Sequence, residues 1–173
     1  MKISKIISGG QTGVDRAALD VAIKNNIPHG GWCPKGRKAE DGIIKDTYLL
    51  EETVTDDYSE RTTRNISDSD GTLVLVKKIP VEVKDGTILT INYAQQEKKP
   101  LLVIALDNHD FFSLIKHWID EHNIQILNIA GPRESQCPGI YDASFKMLHE
   151  FLLMTYKEID QKTGFLTKTM KTV

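Results

Sequence analysis

A glycine-rich segment separates the first apolar run of the chain from the first helical pattern. Within residues 8–16 it contains Gly9, Gly10, Gln11, Thr12, Gly13 and Arg16. Glycine allows positive φ and close approach to the backbone, while a helix start presents free N–H groups and a partial positive charge. We therefore predict an anion cradle, most simply for a phosphate; the alternative is a tight turn that needs glycine for its backbone alone. The spacing matches neither the dinucleotide fingerprint nor the P-loop.

Two later loops carry similar chemistry. Gly86 and Thr87 begin another helical pattern, and residues 131–139, which follow the last apolar run, include Arg133 and Ser135. Arg133 offers a fork-shaped anion donor and Ser135 a hydroxyl group. Ligands of open parallel sheets bind beyond the carboxyl ends of the strands, where all three loops are expected to meet. Together the loops predict a polyanionic ligand.

The segment HGGWCPKGRKAEDG, residues 29–42, adds basic residues beside a tryptophan. Lys35 could bind a phosphate while Trp32 stacks on a flat ring; the alternative is a solvated turn with the tryptophan packed inward. Cys33 and Cys137 lie far apart, so they form no disulfide framework and lack the paired spacing of metal ligands. We therefore expect no metal site.

Short and nearly unbroken apolar runs predict strands that are covered on both faces, as in a parallel sheet. They lie at residues 3–7, 72–76, 101–106 and 124–130, with a weaker run at 27–32. Helical patterns lie at residues 14–25, 87–98, 110–122 and 141–159. The alternation predicts a single-domain α/β fold with a doubly wound, mostly parallel sheet.

A polar segment, residues 36–65, interrupts this alternation and contains a candidate short helix that ends at residues 61–65. A long segment of this kind in a compact domain is typically a functional insertion. We expect a ligand-binding domain over residues 1–160 and a polar tail over residues 161–173. Residues 68–71, DSDG, directly precede a strand, so we expect turn residues at the sheet edge opposite the site.

The composition excludes several classes of partner. The chain has 173 residues with 22 basic and 24 acidic side chains, a formal charge of −2 and a pI of about 6.2. This balance argues against a nucleic-acid binder, which usually carries a basic excess. No apolar run approaches the roughly 18 residues of a membrane span, and the first residues do not have the pattern of a signal peptide. We therefore expect a cytoplasmic protein with no nucleic-acid partner and no membrane partner.

Seven motifs of the sequence together resemble a known family. They are ISGGQTGVDRAALD (7–20), HGGWCPKGRKAEDG (29–42), RTTRN (61–65), DSDGTLVLV (68–76), DGT (85–87), NIAGPRES (128–135) and CPGI (137–140). The resemblance is to the family of proposed molybdenum cofactor carriers. These are Rossmann-like proteins related to the lysine-decarboxylase-like phosphoribohydrolases.

This resemblance implies a Rossmann-like fold and a ligand, the molybdenum cofactor, which is a pterin carrying a dithiolene and a phosphate. It also implies a homo-oligomer, either a dimer or a tetramer, and a role in storage or in hand-over to molybdoenzymes. Carried over to this sequence, the anion loop falls on residues 9–13. The supporting candidates are Arg61, Gly86, Thr87 and Arg133.

One departure from the related hydrolases is informative. Those enzymes have a catalytic glutamate after a Gly-Thr pair; residues 86–87 resemble the pair, and Thr90 stands where the glutamate is expected. A threonine cannot act as a carboxylate base near neutral pH, so the resemblance favours binding over hydrolysis. Two alternatives stay open: a nucleoside-monophosphate phosphoribohydrolase-like enzyme that uses Glu40, Asp41 or Glu134, and a nucleotide-sensing module.

The last helical pattern bears on the expected oligomer. Phe145, Leu148 and Leu152 follow helical spacing and are expected to face the sheet. Phe151 and Met154 widen this apolar stripe beyond what one sheet face needs. A second copy of the chain could cover them; the alternative cover is the polar tail of the same chain.

Overall fold

The structure is a computed structural model that describes residues 3–79 and 86–163, with side chains up to residue 155. The strands are β1 (Lys5–Ile7), β2 (His29–Gly30), β3 (Trp32–Cys33), β4 (Lys38–Ala39), β5 (Gly42–Ile43), β6 (Glu51–Glu52), β7 (Gly71–Val76), β8 (Leu101–Ala105) and β9 (Ile126–Ala130). The helices are α1 (Val14–Lys24), α2 (Tyr58–Ser67), α3 (Gly86–Gln96), α4 (Phe111–Glu121) and α5 (Ile140–Thr163).

Five strands form one parallel sheet in the order β2-β1-β9-β7-β8. Strand β7 lies between two neighbours, with Val74 opposite Val103 of β8 and Ala130 of β9. Because each parallel neighbour is reached through at least one helix, the chain forms an α/β domain. The predicted fold class is therefore confirmed.

Alternate residues of β7 face two different apolar layers. Leu73 and Leu75 belong to a core cluster that includes residues of α1, α4 and α5, whereas Val74 and Val76 are buried on the opposite face. Helix α3 contacts β7 as well as β8. Two covered faces explain why the apolar run of this strand is unbroken rather than alternating.

The weaker apolar run at residues 27–32 leads into two short strands rather than one. Strand β2 extends the central sheet, whereas β3 pairs with β6 in a separate two-stranded sheet. Gly31 separates them with a φ of +121°, and a Cβ there would lie 2.4 Å from the carbonyl oxygen of Ser8. Glycine permits this close turn against the end of β1, and the apolar pattern carries no sign of it.

The segment 36–65 contains the antiparallel hairpin β4–β5, strand β6 and most of α2. The expected short helix is present and continues two residues beyond its predicted end, to Ser67. Beneath the segment lies a small apolar cluster, which we call the insertion cluster. Its buried members are Leu19, Cys33, Ile44, Tyr48 and Leu50.

Helix α5 is longer than the pattern predicts, and one of its apolar residues differs from expectation. Phe151 is only 1% exposed, and its ring centroid lies 5.7 Å from that of Phe112 in α4. Phe151 is therefore covered within the chain and does not widen a free stripe. Leu153 and Met154 are exposed, and the homo-oligomer stays a prediction.

The turn before β7 lies at the edge opposite the carboxyl ends of the strands, as expected for residues 68–71. The Asp70 carboxylate accepts hydrogen bonds from the backbone N–H groups of Gln125 and Ile126, at 2.9 and 2.7 Å. This carboxylate thus joins the turn to the start of β9. It belongs to the structure of the edge rather than to the candidate site.

Asp85 of the DGT motif and most of the expected polar tail lie outside the described residues. The division into residues 1–160 and 161–173 stays a prediction for this reason. Among the helices of the described ranges, none is long and apolar enough to cross a membrane.

Candidate functional site

The glycine-rich loop between β1 and α1 is packed tightly against two other segments. Gly10 and Gly13 have φ of +74° and +76°. A Cβ on Gly10 would lie 2.5 Å from Leu50 Cδ1 in the insertion cluster, and one on Gly13 would lie 2.3 Å from the carbonyl oxygen of Pro132. Both glycines are required by packing, whatever the loop binds, so a Gly13 substitution disturbs the joined loops as well as any anion cradle.

The first turn of α1 carries a buried carboxylate that the sequence analysis missed. Asp15 is 2% exposed and accepts hydrogen bonds from Arg61 Nη1 at 2.8 Å and from the Gln11 N–H at 3.4 Å. Burial raises the pKa of Asp15, and the Arg61 guanidinium opposes that rise. The guanidinium lies against Gly9, where a Cβ would be 1.7 Å from Nη1. Gly9 therefore makes room for the ion pair.

A small polar cavity of about 20 Å³ adjoins this ion pair. Its lining residues are Gln11, Asp15, Arg61, Gly86, Thr90, Ala130, Gly131 and Arg133. The Nε2 group of Gln11 and the Nε group of Arg61 are buried without a hydrogen-bond partner among the described residues. A polar cavity of this volume can hold about one water molecule. Four predicted site residues thus meet there, together with Thr90, whose hydroxyl donates to the Gly86 carbonyl at 2.8 Å.

A larger cavity of about 660 Å³ opens on the other side of the α1 start. Its lining residues are Thr12, Gly13, Arg16, Asp20, Glu40, Asp41, Tyr48, Glu134, Ser135, Pro138 and Tyr141. The hydroxyls of Tyr48 and Tyr141 donate to the two oxygens of Asp20, at 2.8 and 2.7 Å. Burial and this carboxylate raise the pKa of Tyr141 to about 12 and raise that of Tyr48 also. Both tyrosines are therefore neutral at physiological pH.

Glu40 lies between the two glycine-containing loops at the carboxyl edge. Its carboxylate accepts hydrogen bonds from the Thr12 hydroxyl, from the Ser135 hydroxyl and from the Ser135 N–H at 3.1 Å. Arg133 Nε lies 4.0 Å from the same carboxylate, and the Glu40 N–H donates to Gln11 Oε1 at 2.9 Å. Burial acts to raise the pKa of Glu40, but the hydrogen bonds from Ser135 and Thr12 outweigh it and lower the pKa.

Two further acidic side chains of the larger cavity, those of Asp41 and Glu134, also accept hydrogen bonds. Arg16 donates to both oxygens of Asp41, at 3.1 and 3.2 Å, and to the Gly10 carbonyl. The hydrogen bond from Arg16 lowers the pKa of Asp41. Glu134 accepts from the N–H groups of Gly139 and Tyr141 at the start of α5, at 2.5 and 3.0 Å. Asp41 and Glu134 are therefore hydrogen-bonded as acceptors before any ligand binds.

Three predicted site residues lie apart from this arrangement. Lys35 is exposed and, with Trp32, lines neither the small polar cavity nor the larger cavity. Trp32 instead donates from Nε1 to Asp68 at 2.7 Å and lies beneath the Arg64 guanidinium. Thr87 is buried one residue beyond Gly86 and lines neither cavity. The structure thus separates the basic 29–42 motif into two parts, and its acidic end, rather than Lys35, reaches the site.

Cys33 and Cys137 are free and buried. In residues 3–79 and 86–163 there is no group of three His, Cys, Asp or Glu side chains that could hold a metal ion.

The fold defines a Rossmann-like α/β protein, and the comparisons agree with this class. The chain belongs to the circularly permutated YpsA SLOG family, whose sequence model matches residues 6–152. The chain is also similar to the crystal structure of a putative molybdenum carrier protein from Syntrophus aciditrophicus SB. The two share 54% identity with a TM-score of 0.83, over 87% of this chain and 95% of that chain. The family suggested by the motifs is thereby confirmed, while a search of the curated proteins returned no match.

Proposed function

We propose that this protein binds a phosphate-bearing small molecule at the carboxyl edge of its sheet, and that the preferred ligand is the molybdenum cofactor. One observation carries the proposal: Thr12, Arg133 and Ser135, from two separate loops, converge on a single carboxylate, that of Glu40. Donors that bind the oxygens of a carboxylate are also suited to the oxygens of a phosphate. The similar crystal structure, that of a putative molybdenum carrier protein, supports the choice of ligand.

The donors match what a phosphate needs. Hydroxyl groups and a backbone N–H each supply one directed hydrogen bond, while a guanidinium supplies a positive charge and several donors. Arg133 also lies over the Tyr58 ring, 5.7 Å from its centroid, which limits the positions of its side chain. A pre-positioned arginine loses less conformational entropy when it binds an anion.

The larger cavity can hold the ring system of such a ligand. Its volume of about 660 Å³ falls within the range of about 300–1,000 Å³ that is typical of small-molecule sites. Tyr48, Pro138 and Tyr141 supply flat or apolar walls, and Thr12 with Ser135 lies on the lining of the same cavity. A molecule with a planar heterocycle and a phosphate would therefore contact both parts at once.

Binding and release fit these groups better than turnover does. Thr90 supplies a hydroxyl at the position of the expected glutamate, and Glu40, Asp41 and Glu134 are hydrogen-bonded as acceptors. The proposal therefore includes storage of the cofactor and its hand-over to molybdoenzymes. It also includes a homo-oligomeric state, a dimer or a tetramer.

The test uses the full chain and molybdenum cofactor released anaerobically from a purified molybdoenzyme. Bound molybdenum and pterin are measured after gel filtration for the wild type, Arg133→Gln and the control Lys98→Gln. Lys98 is exposed at the opposite sheet edge, so the control removes the same charge away from the site. We expect Arg133→Gln to lose at least tenfold in affinity, about 1.4 kcal/mol, and the control to match the wild type. Equal retention in all three proteins would contradict the proposed site.

A further inference from the structure

The Glu40 side chain reaches the site from the tip of a short hairpin. Lys38 pairs with Ile43 and Ala39 with Gly42 across β4 and β5, so Glu40 and Asp41 form the two-residue turn. The Glu40 side chain is 19% exposed, although it belongs to a surface hairpin. The loops on which it lies cover the side chain, while the residue as a whole is exposed.

Glu40 uses the donors that a ligand phosphate would need. Both of its oxygens are engaged, one by Thr12 and the Ser135 N–H, the other by the Ser135 hydroxyl. A phosphate carrying one or two negative charges cannot share these donors with a carboxylate at the same place, because the groups exclude each other by volume and repel by charge.

We infer that Glu40 is a resident anion that closes the phosphate site, and that the ligand phosphate displaces it together with the tip of the β4–β5 hairpin. This inference rests on the proposed function, because it concerns the same site. Ligand affinity then depends on how much more strongly this group of donors binds the ligand phosphate than the Glu40 carboxylate. Any partner that holds the hairpin tip away from Thr12 and Ser135 would then favour loading, and its release would favour unloading.

The base of the hairpin is fixed much more firmly than its tip. Ile44 is 1% exposed in the insertion cluster, and its N–H donates to the Arg37 carbonyl at 2.8 Å. The Arg37 guanidinium in turn donates to the carbonyl groups of Ile44, Lys45, Tyr48 and Leu50. Displacement of the tip therefore leaves the base in place.

The tip itself is held by polar contacts. These contacts are the hydrogen bonds of Glu40 and the ion pair between Asp41 and Arg16. The Asp41 side chain is 51% exposed. A Cβ added at Gly42 would have no neighbour within 4 Å, and Ile43 is 79% exposed. A bound phosphate accepts hydrogen bonds as a carboxylate does, so it can replace the contacts of Glu40.

The experiment compares the full chain with Glu40→Gln, Glu40→Ala and the charge-matched control Glu51→Gln. Glu51 is exposed on β6, so its substitution removes one carboxylate from the same segment away from the site. Affinities for inorganic phosphate and for phenyl phosphate are measured by calorimetry at fixed ionic strength. We expect both Glu40 variants to bind each probe at least tenfold more tightly than the wild type, with Glu51→Gln within twofold of it.

Hydrogen exchange of the ligand-free proteins supplies a readout that does not depend on the proposed function. The Ser135 N–H donates to Glu40, so its exchange is expected to quicken in Glu40→Ala and to stay unchanged in Glu51→Gln. Circular dichroism confirms that each variant is folded before titration. Glu40→Ala provides the result if the glutamine variant does not fold.

The outcomes separate the two proposals. Equal phosphate affinity in the wild type and both Glu40 variants would overturn the closing role of Glu40 and leave phosphate binding intact. Equal tightening in Glu51→Gln would also overturn it, because the effect would then be one of net charge. Absence of binding of either probe to any variant would overturn the proposed function and this inference with it.

Discussion

The sheet core and the insertion cluster are stabilised in different ways. The sheet core joins residues of β1, β7, β8 and β9 to α1, α4 and α5, with many side chains that are almost completely buried. The insertion cluster has five buried apolar side chains beneath a segment whose other ties are hydrogen bonds and ion pairs. We call the sheet core the platform, and we call residues 36–55, which lie over the insertion cluster, the cover. The cover has few apolar contacts. We therefore expect the cover to open locally without unfolding of the sheet.

The carboxylates of Asp15 and Glu40, both at the carboxyl edge of the sheet, differ in the same way. Asp15 belongs to the platform, is 2% exposed, and is paired with Arg61. Glu40 belongs to the cover and is held by Thr12 and Ser135 near solvent. A buried ion pair cannot lose one member without leaving an uncompensated charge, whereas Glu40 can be hydrated when it leaves. Only Glu40 is therefore suited to exchange with a ligand.

The largest effect is expected in the platform. Leu73→Ala removes a side chain with no exposed surface from β7, a strand with a neighbour on each side. Because the rigid surroundings cannot collapse fully into the cavity, we expect the free energy of unfolding to fall by about 2–5 kcal/mol. Urea denaturation measures this change. Leu153→Ala, at an exposed position of α5, serves as the control. A loss of similar size in the control would show that burial is not the cause.

A smaller effect is expected where platform and cover meet. Gly10→Ala places a Cβ at a φ of +74° and 2.5 Å from Leu50 Cδ1, so the backbone is strained and Leu50 must move. We expect a loss of about 1–2 kcal/mol in the free energy of unfolding. Thermal denaturation of Gly10→Ala beside Gly86→Ala provides the comparison, because a Cβ on Gly86 has no neighbour within 4 Å. Stability equal in both variants would contradict the close packing at Gly10.

In the cover, Ile44→Val is expected to cost about 1 kcal/mol, the usual effect of removing one buried methylene group. Ile44 is 1% exposed and fixes the base of the β4–β5 hairpin. Hydrogen exchange should quicken within residues 36–55 and stay unchanged in β7 and β9. Quickened exchange across the whole chain would show instead that cover and platform unfold together.

The smallest effect concerns pH. The hydrogen bonds to Glu40 lower its pKa below the ordinary 4.5, so its contribution to stability is complete above pH 4.5 and is lost as pH falls through the lowered pKa. The stability difference between the wild type and Glu40→Gln should therefore shrink below about pH 4.5. We expect it to amount to less than about 1 kcal/mol, because the group lies near solvent. Urea denaturation from about pH 3 to about pH 7 measures this difference across the relevant range. A stability difference that grows on acidification would contradict the lowered pKa of Glu40.

Local sequence patterns determined most of the sheet and the helices. The runs that became β7, β8 and β9 are β-branched and apolar because both faces of a parallel sheet are covered, and such runs can be recognised without any knowledge of tertiary contacts. The convergence of the loops after β1 and β9 also follows from strand direction, since parallel strands end at one edge. Three of the family motifs, at residues 7–20, 128–135 and 137–140, lie in or beside these loops and could be read in the same way.

The tertiary structure alone decided which residues meet in the site. Sequence reasoning placed Lys35 at the site and treated Glu40 as one of three alternative carboxylates, whereas the hairpin turn brings Glu40 to Thr12 and Ser135 and leaves Lys35 outside. Asp15 was missed because its burial depends on Arg61, which comes from a different helix. Contacts between distant segments depend on the path of the chain. Residue type and spacing therefore predicted the platform, and the folded cover determined the groups that occupy its edge.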